Sequence, residues 1–290
     1  MAVGLLWSHV ACACLCLADL LARALRLRWY LGGLGLSVTM REAFRATIWG
    51  DAAAGLSPMR FGGELAKFAA LLQARVTPAV AVAALGLEAL VTYPIVAAVG
   101  GWLAIQYAPD WWSHAGPAVE QGLRSRWPAA AAVLALLMSL GALAWWRRRG
   151  AAVTDPAGAR SALARMPGWP VLAGIPLSLF NVVARILMLP LLALTLPAHP
   201  PFGVLAFGSF LLLYSQLVLP TPAGAGVVEL GFLAGVAGQL GAGSTSLLVA
   251  WRCYTVGAGI VLGVASAATR LGVRPLLRAV AAAAARSRSA

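Results

Sequence analysis

Charge is scarce in this chain. Only 11% of its 290 residues are Asp, Glu, Lys or Arg, and 61% are apolar; a soluble domain carries roughly 25% charged residues. With a mean hydropathy of +0.84, the chain has too little polar surface to cover a water-soluble globule. That excludes a soluble enzyme, a disordered chain and a disulfide scaffold. Acids are scarcest of all, nine against 22 Lys and Arg, for a net charge of +13. The arginines cluster between apolar runs, as in the cytoplasmic loops of membrane proteins, so no nucleic-acid partner is expected. Cys12, Cys14 and Cys16 share one apolar run, but alternate residues on a helix point about 200° apart and do not converge. His9, His114 and His199 have no ligand spacing, so neither a metal nor a cofactor is expected. There is no Walker loop, no GxGxxG, no Ser-His-Asp order and no DxD, hence no enzymatic constellation. The start lacks a basic n-region and a small-residue cleavage site, so it reads as a retained span rather than a signal peptide.

Apolar runs long enough to span a bilayer, about 20 residues, lie at 3–25, 79–106, 128–146, 170–196 and 245–268. Two further runs, 42–77 and 202–241, are broken by Pro and Gly: Gly50, Gly55, Pro58, Gly62 and Gly63 in the first, Pro220, Pro222, Gly224 and Gly226 in the second. If each broken run leaves and returns on one side, and the N-terminus is outside, the strongly basic loops all fall on one face. These are Arg26 to Arg45, Arg147 to Arg165 and the tail from Arg270. The positive-inside rule makes that face cytoplasmic. The expectation is a multi-pass protein of the cell inner membrane with a cytoplasmic C-terminus.

The two broken runs and their flanks repeat. Asp19 and Arg23 stand 162 positions before Asn181 and Arg185, and the same offset carries Pro58 to Pro220 and Gly62 to Gly224. Glu64 then matches Glu229, and Glu88 matches Arg252. The expected fold is all-α, a single transmembrane domain over 1–290. It consists of repeat one (1–106), a linking helix (128–146), an inverted repeat two (170–268) and a basic tail (269–290), with each repeat holding a re-entrant segment.

Eight ionisable groups fall in apolar surroundings: Asp19, Glu64, Glu88 and Glu229, against Arg23, Arg60, Arg185 and Arg252. At roughly 2.5–3.5 kcal/mol each, eight unpaired charges would cost on the order of 20 kcal/mol, so they must pair or line a wet cavity. Asp19 and Arg23, four apart, can pair on one helix. Glu88 and Arg252 are expected to meet across the pseudo-twofold axis. The arginines are the expected substrate-binding groups, and the acids are the charge-balancing or coupling groups. Gly62, Gly63, Gly224 and Gly226 sit where helix N-termini would aim free N–H groups at an anion. Gly231-x-x-x-Gly235 and Gly259-x-x-x-Gly263 are small-residue packing faces.

Arg60-Phe61-Gly62-Gly63-Glu64 with Lys67 and later Glu88, and Pro222-Ala223-Gly224-Ala225-Gly226-Val227-Val228-Glu229 with Arg252-Cys253-Tyr254, resemble the two motifs of a known family. It is the flippase-like transmembrane domain of lysylphosphatidylglycerol synthases, which has free-standing hopanoid- or glycolipid-associated relatives. The resemblance implies translocation or binding of an anionic polar-headed lipid at a central charged cavity, with the tails left in the bilayer. Aminoacylation is not implied. Pro222 stands where the repeat would place a second Arg60, so the two half-sites are expected to be chemically unequal. The alternatives are an accessory partner of a lipid-biosynthesis enzyme, a membrane transferase for glycolipid or lipid-linked sugar, and a small-solute transporter.

Overall fold

The computed structural model describes residues 2–123, 163–197, 199–217, 221, 224, 226–236, 239–240 and 243–271. The expected linking helix 128–146, Pro220, Pro222 and all but the first three residues of the basic tail lie outside the described residues. The described elements are helices: α1 (Ala2–Gly33), α2 (Met40–Leu56), α3 (Gly62–Gln73), α4 (Pro78–Leu123), α5 (Trp169–Ala193), α6 (Phe202–Tyr214), α7 (Val227–Gly235), α8 (Ser244–Arg252) and α9 (Ala258–Leu271). A 3-10 turn, Ser215–Leu217, extends α6, and a π turn, Cys253–Gly257, joins α8 to α9.

Three stretches are long and apolar enough to cross a bilayer: Pro78–Ser113, Trp169–Ala193 and Ser244–Arg270. They coincide with the expected spans at 79–106, 170–196 and 245–268. α1 is not among the three, although its 32 residues reach about 48 Å. By contrast α2 and α3, at 17 and 12 residues, reach only about 26 and 18 Å, short of a hydrocarbon core of about 30 Å. α7, nine residues, is shorter still.

Local chemistry sets these boundaries. α2 opens on a capping box: Glu42 N–H donates to Thr39 Oγ1 (3.3 Å), and Thr39 N–H to Glu42 Oε2 (3.0 Å). The two hydrogen bonds from Thr39 hold the Glu42 carboxyl below its ordinary pKa. α2 stops at Ser57, which the following Pro58 forces into an extended conformation (φ −109°, ψ 146°). Met59 and Arg60 then take left-handed backbone (φ 50° and 59°), and α3 begins two residues later.

Element order recurs along the chain. Phe202 opens α6 162 positions after Met40 opens α2, and Val227 opens α7 165 positions after Gly62 opens α3. Buried apolar residues form two cores. One is built chiefly from α1 to α4 (Leu27, Tyr30, Leu71, Ala84), the other chiefly from α5 to α8 (Met188, Leu205, Phe232, Trp251). α1 and α5 run antiparallel along each other: Cys12 Sγ donates to the Met188 carbonyl, whereas Arg26 bonds Ser178. α9 lies on α2, where Gly263 admits the Ile48 carbonyl, Gly259 admits Asp51, and Trp49 Nε1 donates to Ser266 (3.1 Å). The small-residue face at 259–263 thus serves packing within the chain. Gly235 admits the Trp111 ring in the same way, while Gly231 faces open space.

Two sequence expectations change here. The stretch between the spans expected at 79–106 and 128–146 is helical to Leu123, and Trp111 lies within that helix. It is buried against Phe207 and Phe232 because Gly208 and Gly235 leave room for its ring. α1 runs eight residues beyond the expected end of the first span at 25, so Arg26 belongs to the buried face of a helix and not to a basic loop.

Candidate functional site

The charged side chains sort into three groups. The central one forms where α1, α2 and α5 meet. Asp19, Arg23, Arg26 and Tyr30 recur at helical spacing on α1, and all four are buried. Arg23 clamps Asp51 of α2 with both guanidinium nitrogens (2.7 and 2.6 Å) and reaches Asp19 at 3.0 Å, the i,i+4 pair expected from sequence. From α5, Arg185 Nε donates to Asp19 (3.1 Å), and Asn181 donates to the other Asp19 oxygen. Arg185 also stands 3.9 Å from Asp51. Such bidentate pairing is what makes buried charge tolerable, although Arg23 Nε has no hydrogen-bond partner among the described residues.

Arg60 completes this group from the α2–α3 bend. Its Nη1 donates to Gln216 Oε1 (3.1 Å), and the Gln216 amide is spent in turn on the Leu212 carbonyl (2.7 Å). Among the described residues no carboxylate forms an ion pair with Arg60. The central group therefore sets three cations (Arg23, Arg60, Arg185) against two anions (Asp19, Asp51). A small cavity of about 60 Å³ opens beside it. Its polar lining is Arg60, Arg185, Tyr214, Gln216 and Thr255, with no carboxylate. This is a small site of positive potential in an apolar wall, suited to an anion.

The second group balances. Glu88 accepts from Arg26 (3.0 Å) and Lys67 (3.0 Å); Arg26 also donates to Thr92 (3.0 Å) and Ser178, and Lys67 pairs with Glu64 (3.3 Å). Arg252 and Glu229 pair in the third, and Glu229 Oε2 also accepts the Gly226 N–H (2.9 Å) at the start of α7.

Several expected placements are corrected. Glu88 and Arg252 do not meet: Glu88 turns to α1 and α3, Arg252 to α7. Of the positions matched by the sequence offset, Asp19 and Asn181 do touch. Glu64 is not buried; its side chain is 63% exposed on the outer face of α3. The four glycine N–H groups expected to face an anion are already engaged within the chain. Gly62 donates to Ser57 Oγ (2.8 Å), Gly63 to the Arg60 carbonyl (3.1 Å), Gly224 to the Thr221 carbonyl (3.0 Å) and Gly226 to Glu229. The cysteines do fan out: Cys12 is buried, Cys14 exposed, and Cys16 bonds the Tyr254 carbonyl. Among the described residues no three His, Cys, Asp or Glu side chains converge on a metal position.

Sequence reasoning did not count Asp51, Arg26 or Gln216 among the site residues. Arg26 carried a signal, since it continues the Asp19–Arg23 stripe by one more turn. Asp51 carried a weaker one, an acid between Gly50 and three alanines.

Residues 1–263 match the family described as "Lysylphosphatidylglycerol synthase TM region", and the chain belongs to that family. No curated protein and no solved structure matches it. It is a multi-pass α-helical membrane protein of a lipid-handling family.

Proposed function

From that membership, we propose that the protein binds the anionic head group of a lipid in the cavity between Arg60 and Arg185 and passes it across the inner membrane. The observation that carries this reading is the surplus cation. Asp19, Arg23, Asp51, Arg185, Glu88, Arg26, Lys67, Glu229 and Arg252 each have an opposite partner, whereas Arg60 faces the neutral Gln216. A head group with one negative charge brings the central group to neutrality. Desolvating a lone guanidinium is costly in a low-dielectric interior, so a site that keeps one is complementary to an anion.

The backbone supports the same reading. Met59 and Arg60 hold left-handed conformations that cost about 1–2 kcal/mol each in an L-residue, and such strain gathers at ligand clamps. The bend delivers Arg60 to the cavity. The short helices on either side of it fit re-entrant hairpins, which bring helix ends to membrane depth only where they line a cavity.

An inverted repeat accounts for several independent features. The element starts recur at near-constant offset, and α1 and α5 are antiparallel. Contacts are also reciprocal. α2 of the first half packs on α9 of the second, and α6 of the second packs on α4 of the first, where Phe210 meets Gly100 and Tyr107 meets Gly203. Reciprocity of this kind is the mark of a twofold relation. In this reading the N-terminus is outside, the C-terminus is cytoplasmic, Glu229 and Arg252 act at the second hairpin, and the polypeptide transports rather than catalyses. A lipid-biosynthesis enzyme supplies or consumes the lipid.

The test is movement of a tail-labelled phosphatidylglycerol across proteoliposomes. Arg60→Gln is expected to lower the rate to that of protein-free vesicles while leaving the thermal midpoint unchanged or higher. Wild-type rates in both Arg60→Gln and Glu229→Gln would remove these residues from the mechanism.

A further inference from the structure

The cationic cavity shares a wall with a second hollow. The π turn divides its side chains between the two: Thr255 lines the cavity, Cys253 and Gly257 line the neighbouring groove, and Val256 lines both. π turns inside helices mark functional sites because they re-aim consecutive side chains. The groove holds about 540 Å³ and opens at the protein surface. Leu233, Leu248, Val249, Val256 and Ile260 form its apolar wall. Its two charged residues, Glu229 and Arg252, are paired with each other, so it adds no net charge beside the positive cavity. On the same helices Leu230, Val249 and Val261 are exposed, as suits a face turned to hydrocarbon.

We propose that this groove holds a hydrocarbon chain of the lipid whose head group enters the cavity. One acyl chain is then bound by the protein across the π turn, and only the other stays in the bilayer. The proposal rests on the head-group reading of the cavity and adds a second site to it. Charge and continuity single out this occupant. Cationic cavity and neutral apolar groove meet at Val256, which is the polarity profile of one anionic amphiphile. A peptide segment would bring backbone amides, and beyond Thr245, Cys253 and an ion pair already closed, the side chains of the groove offer them nothing. A hydrocarbon chain needs only apolar surface, which it gains by close packing against the groove wall.

The experiment uses the full chain in nanodiscs of zwitterionic lipid with three probes: dioleoyl phosphatidylglycerol, its dihexanoyl analogue and glycerophosphoglycerol, which is the head group alone. Val249→Trp fills the groove from an exposed position. It is expected to weaken dioleoyl binding about tenfold while leaving glycerophosphoglycerol binding unchanged. A phosphatidylglycerol with a diazirine at mid-chain is expected to label the 245–260 segment of the wild-type chain, and to lose that labelling in Val249→Trp. Equal labelling by a phosphatidylcholine with the same diazirine chain overturns the proposal. So does an unchanged dioleoyl preference in Val249→Trp, and so does conversion of a dimer to a monomer by that substitution, which would assign the groove to a second copy. Failure of the underlying head-group reading looks different: glycerophosphoglycerol binding would then be indifferent to Arg60→Gln.

Discussion

The α2–α3 bend and the α6–α7 bend occupy equivalent places along the chain and use opposite chemistry. The first turns through Met59 and Arg60, two L-residues in left-handed backbone, and presents a cation that no acid among the described residues pairs with. The second turns through Gly224 and Gly226, for which φ of 68° and 88° costs little. It presents the neutral Gln216 to that cation, and its one acid, Glu229, is spent on the Gly226 N–H and Arg252. One bend stores strain and charge, the other closes on itself. In the proposed function the first bend binds and the second holds.

The comparison breaks most sharply at Asp51, the acid that keeps the first bend's surplus to a single charge. Asp51→Asn strips Arg23 of its bidentate partner and leaves the central group with two surplus cations. Removing one member of such a buried pair costs about 3–5 kcal/mol, so thermal unfolding in detergent should show a large drop in midpoint. Arg60→Gln, by contrast, should be neutral or stabilising in the same measurement, although it removes transport. A similar drop for both would mean that Arg60 is structural.

The second bend is tested by Glu229→Ala. It removes both the α7 cap and the Arg252 partner, at a cost of about 2 kcal/mol. Glu229→Gln should retain part of the loss, because an amide oxygen can still accept the Gly226 N–H. Met59→Gly then asks whether the first bend is strained as drawn. Relief of the left-handed conformation should stabilise by up to about 1 kcal/mol, offset in part by the freer unfolded chain, with binding of glycerophosphoglycerol unchanged.

The smallest effect expected is at the mouth of the hairpin. Thr39→Ala should cost about 1 kcal/mol at neutral pH. Because Thr39 holds the Glu42 carboxyl below its ordinary pKa, the cap's contribution is fully present above the unfolded-state pKa of about 4.3. It fades as pH falls through the lower folded value. The difference between wild type and Thr39→Ala should therefore shrink in acid; a gap independent of pH would separate the cap from the charge of Glu42.

Much of the central site was legible before any coordinates. Asp19, Arg23, Asn181 and Arg185 declare themselves because a charge inside an apolar run is expensive, and their equal spacing in two runs marks a repeat. The partners of Glu88 were not legible. A shared offset in sequence gives no contact by itself, so it could not show that Glu88 would meet Arg26 and Lys67 instead of Arg252. Arg26 continues the Asp19–Arg23 stripe, but nothing local says that α1 runs on past it to Gly33.

The sequence alone determined the solvent. An apolar chain with so few charges must live in a bilayer, and hydropathy then places the spans, because backbone at that depth has to satisfy itself as helix. It also determined which residues would have to find partners. The tertiary structure decided who those partners are. Asp51 reaches Arg23 because α2 packs against α1, Gly259 leaves room for Asp51 on the α9 side, and Arg60 is left with an amide instead of an acid because Gln216 arrives at that point. Electrostatic pairing depends on distances of a few ångströms between segments far apart in the chain, and those distances are set by packing.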